Sequence, residues 1–162
     1  MHRHPLVSLR RSAAFTFIEV MIVIALLVTL MAIILPMYSS FVAEARIQKS
    51  ILDITHMSDA IRTYHRTHGA YPDSLGQLAD LIDINKPDAW GNPYVYEVMI
   101  YDGKKTPKNA RKDKFLKPLN TDYDLYSMGE DGVTTKNLEG GPAHDDIIRA
   151  ADGGYIGLAS EF

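Results

Sequence analysis

The sequence is 162 residues long, enough for one domain or for one small domain with an appendage. Its 46% hydrophobic and 23% charged residues argue against wholesale disorder, and a formal net charge of −3 argues against a general nucleic-acid binder, which needs a basic face. No cysteine is present, so disulfides, thiolate metal sites and a cysteine nucleophile are excluded.

Met1–Ala14 carries Arg3, Arg10 and Arg11, with His2 and His4, and has no acid. Phe15–Leu35 (FTFIEVMIVIALLVTLMAIIL) is then apolar, with Glu19 as its only charge. A helix of about 21 residues, rising about 1.5 Å per residue, spans a hydrocarbon core of about 30 Å. Arginines ahead of the run and none within it orient the N-terminus to the cytoplasm and the rest of the chain outward. Two plainer readings compete with a specialised membrane segment: a secretory signal cut at Ala43-Glu44-Ala45, and a simple signal anchor. The run exceeds the roughly 7–15 residues of a secretory h-region, which favours insertion over that cut. Glu19 is foreign to a simple anchor, because a carboxylate at the centre of a spanning helix costs up to about 2.5–3.5 kcal/mol, less near an interface. It stands one helical turn after Phe15 on the same face. A cut before Phe15 creates an amine that can pair with a Glu19, its own or a neighbour's.

The segment Ala14-Phe15-Thr16-Phe17-Ile18-Glu19, behind a short basic leader and ahead of an apolar helix, resembles the class III signal of type IV pilins and type II secretion pseudopilins. The resemblance implies that a prepilin peptidase cuts between Ala14 and Phe15 on the cytoplasmic side and methylates the new Phe15 amine. It also implies that Glu19 is the acid that neutralises this amine during assembly. The family usually has glycine where this chain has Ala14.

Beyond the apolar run, Pro36 predicts a break or kink, since it lacks an N–H and its ring clashes with the preceding turn. The helical pattern nevertheless resumes at once. Ile47, Ile51, Ile54, Ile61 and Tyr64 recur at mainly three- and four-residue steps, with Met57 or Ser58 between. Arg46, Lys49, Asp53, Asp59 and Arg62 make the solvated face, and Gly69 is a C-terminal stop. One helix over about Phe15–His68 follows, apolar all round in its first half and amphipathic in its second. A coiled-coil dimer is the alternative for that second half. His56, His65 and His68 have no acid or cysteine at zinc spacing and read as surface or partly buried histidines.

The remainder reads as a small head. Asp73 or Ser74 caps a short helix carrying Leu75, Leu78, Leu81 and Ile82, and Asp88–Tyr94 is a turn whose Trp90 packs beneath a sheet. Strands are expected at Tyr94–Tyr101 and around Tyr123–Met128. Between them, Gly103–Leu119 holds Lys104, Lys105, Lys108, Arg111, Lys112, Lys114 and Lys117 against the single acid Asp113. It reads as a solvated hairpin loop or as a docking surface for acidic neighbours or cargo; nucleic acid fits poorly without a series of stacking aromatics. Further on, Met128-Gly129-Glu130-Asp131-Gly132, Gly140-Gly141 and Asp145-Asp146 put hard oxygen ligands on permissive backbone, which suits either Ca²⁺ or a merely acidic loop. The spacing is not that of an EF-hand, because Tyr126 follows Asp122 and Asp124 where a third polar ligand is required.

Tyr71-Pro72 through Leu78, Trp90-Gly91-Asn92-Pro93-Tyr94, Asp124–Gly132 and Asp145-Asp146-Ile147, taken in order with the N-terminal signal, resemble the major pseudopilin of type II secretion across nearly the whole chain. The resemblance implies an α+β, pilin-like fold: a long N-terminal helix, membrane-spanning in its first half, packed by its second half on a small antiparallel β-sheet. Residues 1–14 are then a leader, 15–35 the transmembrane and assembly half-helix, and 36–162 the periplasmic head with the second half of the helix. The implied function is a non-enzymatic subunit that polymerises with itself into a periplasmic pseudopilus and drives export of folded proteins. Its partners would be the prepilin peptidase, minor pseudopilins and the inner-membrane secretion platform, with no nucleic acid. Carried over from the family, a structural Ca²⁺ would take the carboxylates of Asp131 and of Asp145 or Asp146, with the carbonyls of Met128 and Val133. The loop from Val133 to His144 and the basic stretch Gly103–Leu119 are longer than the compact family pattern, and Tyr155–Phe162 has no secure counterpart. A type IV pilin or a minor pseudopilin is the alternative within the superfamily. From another class, a membrane-anchored enzyme or binding module finds no nucleophile–base set or phosphate-cradling loop in the sequence.

Overall fold

The computed structural model describes residues 15–99 and 109–162. The leader 1–14, with Ala14, and residues 100–108, with the end of the expected first strand and Lys104, Lys105 and Lys108, lie outside the described residues. The elements run α1 (Phe17–His68), β1 (Val95–Val98), β2 (Tyr123–Ser127), β3 (Ile147–Ala150) and β4 (Tyr155–Leu158). Single 3₁₀ turns stand at Leu75–Leu78, Gly141–Ala143, Ala151–Gly153 and Ala159–Glu161. By internal packing the chain divides into two units that part between Phe41 and Val42.

In the first unit, Thr16 caps α1. Its hydroxyl accepts the Glu19 N–H (3.3 Å), while Glu19 Oε2 accepts both the Thr16 N–H and the Thr16 hydroxyl (2.8 Å each). This is a capping box, which satisfies donors that a helix start otherwise leaves open. From Phe17 to Phe41 every side chain is exposed, so the apolar surface has no cover among the described residues. The segment is long and apolar enough to cross a membrane. Its few hydroxyls turn inward on the helix: Thr29, Ser39 and Ser40 donate to the carbonyls of Leu26, Pro36 and Met37. Contrary to the break that proline predicts, Pro36 lies inside α1 and does not end it. One missing N–H costs a single backbone bond, and the helix runs on through it to His68.

In the second unit, Ser50, Asp53, Ile54, Met57, Ser58 and Ile61 are the buried residues of α1, a stripe at steps of three and four that faces the sheet. Asp53 was expected on the solvated face; it is buried instead. It sits between Ser50 and Met57 on the stripe, and its carboxylate accepts from Lys86 Nζ (2.6 Å) and the Tyr94 hydroxyl (3.1 Å). Burial of the acid is tolerated because both oxygens are engaged. Gly69 ends the helix at φ +76°, its N–H returning to the His65 carbonyl (2.8 Å).

The sheet is an antiparallel meander in the order β1-β2-β3-β4. Alternation along the strands sends Tyr123, Leu125 and Ile147 toward α1, where they join Ile54, Met57, Ile61, Leu78 and Tyr94 in one core. Ile148, Ala150 and Tyr126 face the other way, into a second cluster with Leu119, Leu138, Ala143 and Ala159 from the loops. Both faces of the sheet are therefore covered, one by helix and one by loops. The expected strands agree with β1 and β2 in position, whereas β3 and β4 were missed. Ile147–Ala150 is buried on both sides and shows no polar alternation, so it carries little strand signal. The turn joining it to β4 holds Ala151, Asp152 and Gly153 at positive φ. Asp152 has a reason to be there: its carboxylate accepts the Thr121 N–H (2.7 Å) and the Thr121 hydroxyl (2.9 Å).

Burial pushes the phenols of Tyr94 and Tyr96 well above their ordinary range. In the unfolded chain they ionise near pH 10, so their contribution to stability is complete below about pH 10 and is lost as the pH rises toward their folded values. Alkaline titration should therefore show buried tyrosinate absorbance appearing together with the loss of near-ultraviolet circular dichroism. Free ionisation of all tyrosines ahead of that loss would contradict the burial described here.

Candidate functional site

Two regions carry the residues singled out by sequence. At the N-terminus, Phe15 is the first described residue and is 84% exposed, while Ala14 lies outside the described residues. Glu19 is not idle in this uncut chain, because the capping box with Thr16 occupies its Oε2. The Thr-x-x-Glu spacing at 16–19 signals such a box, a local role that the reading of Glu19 as a lone membrane acid missed.

The second region is where three loops meet at one end of β2. Asp88 Oδ1 accepts the N–H groups of Trp90 (3.0 Å) and Asn92 (2.8 Å), closing the tryptophan turn, and its Oδ2 accepts the Ser127 hydroxyl. Ser127 in turn accepts the Gly129 N–H (3.1 Å), and Asn92 Nδ2 donates to the Gly129 carbonyl (2.8 Å). The turn 127–132 is thus tied to the turn 88–92. Asp145 closes it from the other side, its Oδ2 accepting the N–H groups of Glu130 (2.7 Å) and Asp131 (3.0 Å). Asp131 Oδ1 accepts the Val133 N–H (2.7 Å). Gly129, at φ +64°, lies directly against Asp145, whose backbone occupies the space a Cβ would need.

The structure therefore brings Asp131 and Asp145 to one turn, along with the backbone of Met128 and Val133. Asp146 goes elsewhere. It is fully buried, and its Oδ2 accepts from Arg111 Nη2 and the Thr134 hydroxyl. Arg111 also meets Asp124, whose Oδ2 accepts the Arg111 N–H (2.8 Å) and whose Oδ1 accepts from Asn120 Nδ2 (2.8 Å). Burial raises the pKa of both Asp124 and Asp146, against the opposing pull of these hydrogen bonds. Among the described residues, no three His, Cys, Asp or Glu side chains converge as a metal-binding group. Arg111 and Thr134 were missed as site residues. Arg111 is the one arginine in a stretch of lysines, and arginine is the cation suited to buried pairing with a carboxylate.

A long apolar N-terminal helix on a four-stranded antiparallel meander defines a pilin-like subunit, and the N-terminus fits that class: the model of the prokaryotic N-terminal methylation motif matches residues 9–35. The model of type II secretion system protein G matches residues 38–149, most of the rest of the chain, and the protein belongs to that family. The type II secretion system core protein G of Pseudomonas aeruginosa is 31% identical over 155 residues, covering 86% of this chain and 94% of that one. Its counterpart in Aeromonas hydrophila is 30% identical, covering 86% and 92%. A fimbrial protein of Neisseria meningitidis serogroup B is 40% identical, covering 85% and 78%. No solved structure gives a significant match.

Gly129→Ala should destabilise the head by roughly 2 kcal/mol or more, combining a left-handed backbone with a collision against Asp145. Chemical denaturation checks this. Gly141, which meets nothing within contact distance and has no positive φ, is the control: Gly141→Ala should change stability little.

Proposed function

We propose that this chain is the structural subunit from which a type II secretion pseudopilus is built, and that it performs no catalysis of its own. The observation that carries the reading is the helix surface of Phe17–Phe41, apolar but for Glu19 and a few hydroxyls and exposed at every residue, in a chain that carries the methylation motif and a protein G family match. Such a surface needs lipid or copies of itself. In the membrane the chain is a single-pass inner-membrane protein with its N-terminus cytoplasmic and its head periplasmic. Prepilin peptidase cuts between Ala14 and Phe15 and methylates Phe15. Loss of the leader removes three arginines and no acid, so the mature chain is more acidic by that amount. The new amine stands beside Glu19 and competes with Thr16 for its carboxylate. Pairing with the Glu19 of a neighbouring copy sets the axial register, and the apolar helices pack as the polymer's core. The pilin relatives fit as members of the same superfamily.

Two measurements test this. Mass spectrometry of the protein isolated from the membrane should find a mature chain beginning at methylated Phe15. Glu19→Ala should leave membrane insertion intact and remove assembled fibres; fibres in normal abundance would remove Glu19 from the assembly step.

The acidic turn suits a structural Ca²⁺ by the chemistry of its donors. Asp131 and Asp145 offer carboxylates, and the carbonyls of Met128 and Val133 accept no hydrogen bond among the described residues, so hard oxygens are available. A bound calcium would supply positive charge to this turn and fasten residues 128–133 to Asp145 in a chain that has no disulfide. Chelation should then lower the melting temperature of the mature protein, and Asp131→Ala should abolish that sensitivity. Coincident melting curves with and without chelator argue against the ion.

A further inference from the structure

Asp146 is fully buried, and a buried carboxylate is tolerated only with a counter-charge and hydrogen bonds. Its partner comes from the long basic stretch between β1 and β2, where Arg111 is itself 3% exposed. The guanidinium lies over the Tyr126 ring, 4.1 Å from its centroid, and besides Asp146 it donates to the Thr135 carbonyl (3.3 Å). The Arg111 backbone N–H reaches Asp124 on the neighbouring strand. Neighbouring backbone follows: Leu119 N–H donates to Arg111, and Lys112 exchanges hydrogen bonds with Lys136 and Leu138. One residue thus draws together two buried acids, Asp146 through its guanidinium and Asp124 through its backbone N–H, and three loops on the sheet face away from α1.

We propose that Arg111 is a built-in counter-ion that takes Asp146 out of any divalent-cation shell and clasps the loop face of the head without metal. A guanidinium already on Asp146 Oδ2 repels a second cation and holds one of that carboxylate's two oxygens. The neighbouring acids are therefore split in role: Asp145 serves the outer turn and Asp146 serves the internal clasp. The head consequently keeps its loop face when calcium is scarce. Asp146 Oδ1 and Arg111 Nε and Nη1 are buried with no hydrogen-bond partner among the described residues, leaving polar groups for a bridging water. The clasp stands whether or not the Asp131–Asp145 turn takes calcium.

The test is a double-mutant cycle on the mature full-length chain in detergent, using Arg111→Met, Asp146→Asn and the pair, melted in excess chelator and again in calcium. Each single change should lower the melting temperature by on the order of 10 °C, and the double change should lose clearly less than the sum of the two. The coupling should be the same with chelator as with calcium. Any calcium-induced shift of the wild type should survive in Asp146→Asn. Additive losses in chelator, or a calcium shift abolished by Asp146→Asn, overturn the proposal. A wild type without a calcium shift removes the ion from the outer turn and leaves the chelator cycle to decide the clasp. If Arg111→Met does not fold, Arg111→Lys replaces it; it keeps the charge without the planar fork and should show a smaller loss.

Discussion

The constraint on which this molecule depends is the uncovered apolar surface of α1 between Phe17 and Phe41. Burying apolar area is the main favourable term in folding and association, at roughly 25 cal/mol per Å² removed from water. Here every side chain of that stretch is exposed among the described residues. Within it the Thr16–Glu19 box takes up donors at the helix start, and the hydroxyls of Thr29, Ser39 and Ser40 turn inward onto backbone carbonyls. Such an element is stable in lipid or among its own copies.

The remainder of α1 obeys ordinary soluble rules. A single stripe, from Ser50 to Ile61, is buried against the strands, and the head forms around it. Without cysteine, the loops that complete the head are fastened by charge. Two arginines do this on opposite faces of the sheet, each laid over a tyrosine of β2. Arg149 faces α1, 3.9 Å from the Tyr123 ring centroid and bonded to Asp122; Arg111 faces the loops, over Tyr126 and bonded to Asp146. Removing one member of such a buried pair strands the other, so each pair fixes loop position more than it adds net stability.

The acidic turn has a different logic. Asp145 and Asp131 accept backbone N–H groups, which shapes the turn, and Glu130 of the same turn stands 3.9 Å from the Arg46 guanidinium. Its glycine at 129 is required by contact with Asp145 as well as by backbone sign.

The sequence by itself determined the long helix, its change from all-round apolar to one-sided, the stop at Gly69 and the first two strands. Each of these rests on local spacing, composition or a single backbone requirement, which a one-dimensional pattern records. It also determined the family, because the N-terminal signal and the head motifs occur in order along the chain. Only the tertiary structure decided that Asp53 is buried, that Ile147–Ala150 and Tyr155–Leu158 pair as strands, and that the neighbours Asp145 and Asp146 serve different partners. Those outcomes depend on what a residue meets across the fold. Lys86 lies 33 residues from Asp53, and Arg111 lies 35 from Asp146; a local window shows only Lys49, 3.8 Å from Asp53 one turn away, and neither of the distant cations.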